Sequence, residues 1–224
     1  MPNSQFRFLR SLHPWGVAVA FVAVACVFPV TSLRAADITK ITPEDYFGAA
    51  YYRQALEHPA VQKARSEDQR VGLVARDMGW KKQALWASIK KVAALGGDPL
   101  ELAKAGLQSE FASSRARGRI LTTVMSDEEP KHVVLYVRFQ VQRKEDVIKD
   151  AAAIAAVVAR AAPFVSTLSL AAIAPRAGAS TTGAFWSAKI SQGSMARIQE
   201  RRIEDYAERL YSGLFEGTTP VAAR

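Results

Sequence analysis

The spacing of hydrophobic positions changes along this chain, and each change marks a new kind of element. Residues 15–33 form an uncharged run rich in Val, Ala and Phe. After Thr42 the apolar residues recur at helical spacing. Leu85, Ile89, Val92 and Leu95 share one helical face, and Leu100, Ala103, Leu107 and Phe111 share another. From Ile120 onward the pattern alternates, breaks for an Ala/Val/Ile-rich helical stretch at 144–162, and then alternates again.

Start and stop signals divide the helical part into four. Thr42-Pro43-Glu44-Asp45 supplies a cap, a first-position proline and acids for the positive end of the helix dipole. That helix runs to about Glu57, where His58-Pro59 ends it. A second spans 60–78 and a third 80–95, with Gly96 as its C-terminal cap. Asp98-Pro99-Leu100-Glu101 opens the fourth. The small and basic segment 113–118 has no apolar period and is read as a boundary.

The strands follow. Residues 120–126 and 132–142 flank a polar turn at 127–131. In the second strand Val133, Leu135, Val137, Phe139 and Val141 alternate with His132, Val134, Tyr136, Arg138, Gln140 and Gln142. Pro163 stops the helix 144–162, and strands at 165–173 and 184–191 flank a loop at 175–183. Ser194 is expected to cap a last helix that turns Ile203, Tyr206, Ala207, Leu210 and Leu214 toward the core. The fold class is therefore α+β: an export segment at 1–35, a helical region at 42–113 and a ββαββα unit at 119–215. The four strands should form a mainly antiparallel sheet, with a loose tail at 216–224.

Charge sharpens the reading of the first residues. Arg7 and Arg10 precede the apolar run, and Arg34-Ala35-Ala36 follows it. A basic start, an apolar stretch and small residues make the layout of a secretory signal, with cleavage after Ala35 or Ala36. Two alternatives stay open. The run is long enough to serve as an uncleaved anchor with the domain outside. Ala23-Val24-Ala25-Cys26 also resembles a bacterial lipobox, which would make Cys26 a lipidation site. All three place the remainder outside the cytoplasm, in a bacterial envelope or secreted. Of the net charge of +9, three positive charges belong to Arg7, Arg10 and Arg34, leaving +6 beyond residue 36. Within that excess, Arg115, Arg117 and Arg119 form the densest group, a candidate contact with an anionic membrane surface.

Candidate chemistry is sparse. Cys26 is the only cysteine, so no disulfide or cysteine-held metal is expected beyond it. His58 and His132 are the only histidines after the apolar run, and neither G-x-S-x-G nor H-E-x-x-H occurs. His58 reads as a helix-end cap and His132 as a strand-end residue. Asp127, Glu128 and Glu129 are three adjacent acids, open to a hard cation or an unrecognised hydrolase but more simply a solvated turn. The glycine-spaced segment 178–183 lacks the lysine of a phosphate loop. No catalytic residue, metal site, cofactor or nucleic-acid partner is expected.

One surface remains. If the helix 144–162 covers one side of the sheet, the other presents Tyr136, Arg138, Gln140, Thr167, Ser169, Phe185, Ser187 and Lys189. Either other helices cover that mixed aromatic, basic and hydroxyl face, or it binds a partner protein or an envelope ligand. The leading functional expectation is an exported, non-catalytic binding protein, with a membrane-anchored assembly subunit and a motif-less hydrolase as alternatives.

Overall fold

The computed structural model of the protein describes residues 37–129, 131–174 and 184–220. The apolar segment, Cys26 and the loop 175–183 lie outside them.

Five α-helices come first: α1 (Pro43–Ala55), α2 (Pro59–Gln62), α3 (Glu67–Asp77), α4 (Lys82–Ala93) and α5 (Pro99–Ser113). The caps read from the sequence form. The Thr42 hydroxyl accepts from the Asp45 N–H at 3.1 Å while the Asp45 carboxylate accepts from the Thr42 N–H at 3.1 Å. Asp98 accepts from the Leu100 N–H at 3.2 Å, and Gly96 takes φ 64° after α4. The helix expected over 60–78 is two helices. Ser66 accepts from the Gln69 N–H at 3.2 Å and starts α3 afresh, and the Gln69 side chain accepts from the Arg65 N–H at 2.9 Å. Gly48, in mid α1, lets α1 approach α4. A Cβ there would lie 2.8 Å from the Trp80 ring and 3.2 Å from the Ser88 Cβ.

Strands β1 (Ile120–Glu129) and β2 (His132–Gln140) lead to α6 (Val147–Ala161), then β3 (Thr167–Ile173) and β4 (Ala184–Ser191). A short α7 (Gln192–Met195), α8 (Ile203–Tyr211) and β5 (Glu216–Pro220) complete the described chain. The class is mixed α+β as expected, but the sheet has five strands in the order β1-β2-β3-β4-β5. Part of the expected tail, Glu216–Pro220, is the fifth strand, antiparallel to β4. The β2–β3 pair is parallel and the other three are antiparallel. The parallel pair follows from the α6 crossover, since a helical connection returns the chain to the same end of the sheet.

The α-helix α6 is buried continuously from Asp150 to Val158, because the sheet lies on one side and α5 and α8 pack on the other. Its alanines permit that double cover. The main core joins the inward residues of β2, β3 and β4 to α6 and also to Tyr46, Ala49, Leu107 and Phe111 of the helical region. Tyr46 stacks on Phe164 with ring centroids 4.8 Å apart and donates its hydroxyl to Asp127 Oδ2 at 2.6 Å. Burial first, and that bond second, push the Tyr46 phenol far above its ordinary range. A second cluster of Tyr52, Val61, Val71, Val74, Ala75 and Leu85 holds α1 to α4 together.

The end of the chain departs from the sequence reading in two further ways. The last helix does not start at Ser194: Ser191 caps the short α7, and α8 begins at Ile203 after Arg202, with no side-chain cap. In α8, Ile203, Ala207 and Tyr211 face the core, while Tyr206 and Leu210 are exposed. Among the described residues, no helix is long and apolar enough to cross a membrane.

Candidate functional site

Strand alternation builds the candidate surface. Val133, Leu135, Val137 and Phe139 of β2, Leu168, Leu170 and Ala172 of β3, and Trp186, Ala188 and Ile190 of β4 are all buried on the helix side. Their neighbours must point the other way. The register aligns these neighbours into rows across the strands. One row runs Val124, Tyr136, Ser169, Lys189 and Glu216. A second contains Thr122, Arg138, Ala171 and Ser187, and a third Ser126, Val134, Thr167 and Ser191. Gln140 lies at the end of the face, opposite Ile173.

Seven of the eight expected residues thus share one face: Tyr136, Arg138, Gln140, Thr167, Ser169, Ser187 and Lys189. Phe185 is set apart. The register shift between Ala172 and Ile173 places it at an irregularity in β4. There it packs partly against the main core, with Lys144 Nζ 5.7 Å from its ring centre. The β1 residues Thr122, Val124 and Ser126 were not singled out in the sequence. The strand Ile-Leu-Thr-Thr-Val-Met-Ser alternates too weakly to assign its faces without the register. Among the described residues nothing covers the face: Val124 is 51% exposed, Tyr136 47%, and Arg138 and Lys189 are exposed.

Other candidates have structural duties. His58 caps α2, its Nδ1 accepting from the Ala60 N–H at 3.3 Å. Asp127 is taken up by Tyr46, and His132 lies exposed at the start of β2. Lysines of α4, which carry no candidate role, are also engaged: Lys82 pairs with Asp68 at 2.5 Å, Lys91 pairs with Asp45, and Lys90 sits over the Trp86 ring. Among the described residues no group of three His, Cys, Asp or Glu side chains is placed to hold a metal ion.

No family model, curated protein or solved structure matches this chain. The functional reading therefore rests on the geometry above.

The three arginines expected at a membrane surface separate. Arg117 is exposed, but Arg115 and Arg119 turn inward onto Asp150 of α6, which is 0% exposed. Arg115 Nε donates to Asp150 Oδ1 at 2.9 Å, and Arg119 Nη2 donates to the same oxygen at 2.8 Å. Arg119 Nη1 reaches Asp150 Oδ2 and the Gln140 carbonyl, and Nη2 also donates to the Arg115 carbonyl at 2.7 Å. Arg115 extends further to Glu204 of α8 and to Asp146. The cluster ties the segment before β1 to α6 and α8, so Arg115 and Arg119 are committed inside the fold.

Asp146 adds a pH dependence. The Arg143 guanidinium, at 2.9 Å, holds its carboxyl below the ordinary carboxylate range, with help from Arg115 and Lys149. A depressed folded-state pKa stabilises the protein above the unfolded value of about 3.9, and that stability is lost as pH falls through the folded value. Melting temperature measured from pH 6 downward is expected to decline below about pH 4. Asp146→Asn should start lower at pH 6 and decline less steeply; an identical slope in the variant would remove Asp146 from the effect.

Proposed function

We propose that the protein acts outside the cytoplasm as a binding protein rather than a catalyst, and that a partner protein docks on the open face of its sheet. The observation that carries this reading is the transverse row of Val124, Tyr136, Ser169, Lys189 and Glu216, in which Tyr136 is half exposed. An exposed aromatic flanked by aliphatic, hydroxyl and basic groups has the make-up of an interface centre with a polar rim. Lys189, exposed on the face, and the net positive charge beyond residue 36 favour a partner that presents acidic groups around an apolar contact. The basic, apolar and small-residue order of the first 36 residues supports the compartment in this reading.

A photo-crosslinking amino acid at position 136 in the full chain, expressed in cells, tests the face. The expected result is a discrete adduct that Arg138→Glu reduces to background, with no adduct from the same group at Glu208. Equal labelling from both positions, or none from position 136, would overturn the docking face. A reporter fused after residue 40 tests the compartment separately, and its retention inside the cell would overturn that part alone.

A further inference from the structure

We propose a second binding site, independent of the sheet, in the pocket where α1, α2 and α3 meet, and that its ligand is a small organic cation: an ammonium group on an aliphatic or aromatic body. The pocket measures about 430 Å³, within the ordinary size of small-molecule sites. Val61 and Val74 form a buried apolar floor, with Ala55 beside them and Tyr51 and His58 on the walls. Its one charged lining residue is Asp77.

Three features favour a cation there. Tyr51 donates its hydroxyl to Asp77 Oδ2 at 2.5 Å, which fixes the carboxylate beside the Tyr51 ring and leaves Oδ1 for a further donor. None of the ion pairs among the described residues involves Asp77. Asp77 is also the last residue of α3, and the pocket adjoins the last turn of α1, so two helix C-terminal ends add negative potential to that of the carboxylate. Arg53 and Arg76 lie in those same turns, but neither lines the pocket. An ammonium beside Asp77 gains a charge-assisted hydrogen bond, and the Tyr51 ring offers a π surface for the same charge. The apolar floor takes the hydrocarbon body.

Titration calorimetry on the full-length protein with three probes of like shape tests the site: phenethylammonium, neutral 2-phenylethanol and anionic 3-phenylpropionate. Phenethylammonium should bind saturably and about tenfold or more tighter than the alcohol, with the propionate not binding. Methyl NMR shifts should localise to Val61 and Val74. Asp77→Asn should reduce phenethylammonium affinity to that of the alcohol. Equal affinity for the three probes, no saturable ammonium binding, shifts elsewhere, or unchanged affinity in Asp77→Asn would each overturn the proposal. The comparison of probes on the wild-type chain stands whether or not the variant folds.

Discussion

Asp150→Ala is expected to lower the unfolding free energy by about 3–5 kcal/mol and the melting temperature by about 10 °C. The carboxylate is fully buried and is shared by Arg115 and Arg119. Its removal leaves Arg119, whose side chain is 14% exposed, with a buried charge and two neutral carbonyl partners. An uncompensated buried charge costs far more than the net worth of the pair it came from. Arg115 is less affected because Glu204 and Asp146 remain in reach. Adding Arg119→Met to Asp150→Ala should therefore recover part of the loss, because the stranded guanidinium goes with it. Urea unfolding followed by far-ultraviolet circular dichroism measures both variants. A loss below about 1 kcal/mol for Asp150→Ala would mean that water reaches the cluster and screens it.

Ending the chain at Leu214 is expected to cost at least about 3–5 kcal/mol. Phe215 is buried against Trp186, edge to face at 5.7 Å, and the strand after it pairs with β4. Truncation there opens a cavity under Trp186 and turns β4 into an exposed edge that presents unpaired backbone groups. Ending the chain at Phe215 instead keeps the ring and removes only the strand, so its cost should be clearly smaller. Thermal unfolding of the two truncated chains beside the full chain gives the comparison, and aggregation should be worse in the shorter one. If both truncations melted with the full chain, residues 216–224 would be the loose tail that their composition suggests.

How far the sequence carried this fold depends on the range of the forces in each element. Local signals were sufficient where local forces decide. The Thr42 and Asp98 caps, the Gly96 stop and the strict alternation of β2 all appear where they were read. Alternation in β2, β3 and β4 also placed seven of the eight candidate residues on one face, because period-two geometry leaves no other choice. Ser66-Glu67-Asp68-Gln69 also carries a local signal, a capping pattern that restarts the helix at α3 and divides the helix expected over 60–78.

Nothing local marks β5. Glu-Gly-Thr-Thr-Pro has no apolar alternation and weak strand preference, and it is a strand because β4 offers it an edge to pair with. The inward turn of Arg115 and Arg119 was equally hidden. Arginines in a small polar segment read as solvated, and only the buried Asp150, 31 residues beyond Arg119, reverses that. In α8 Ile203 and Ala207 face the core as the period predicts, but the apolar arc extends past the contact with α6, which leaves Tyr206 and Leu210 outside.

The sequence by itself determined the helix starts, the period of each element and which side chains share a strand face, since steric and hydrogen-bonding preferences within a few residues set these. Tertiary structure alone decided the fifth strand, the partners of the buried charges and which face of the sheet stays open. Each of those depends on groups that meet only after long loops have closed, and the free energy that selects them comes from burial and pairing rather than from local preference.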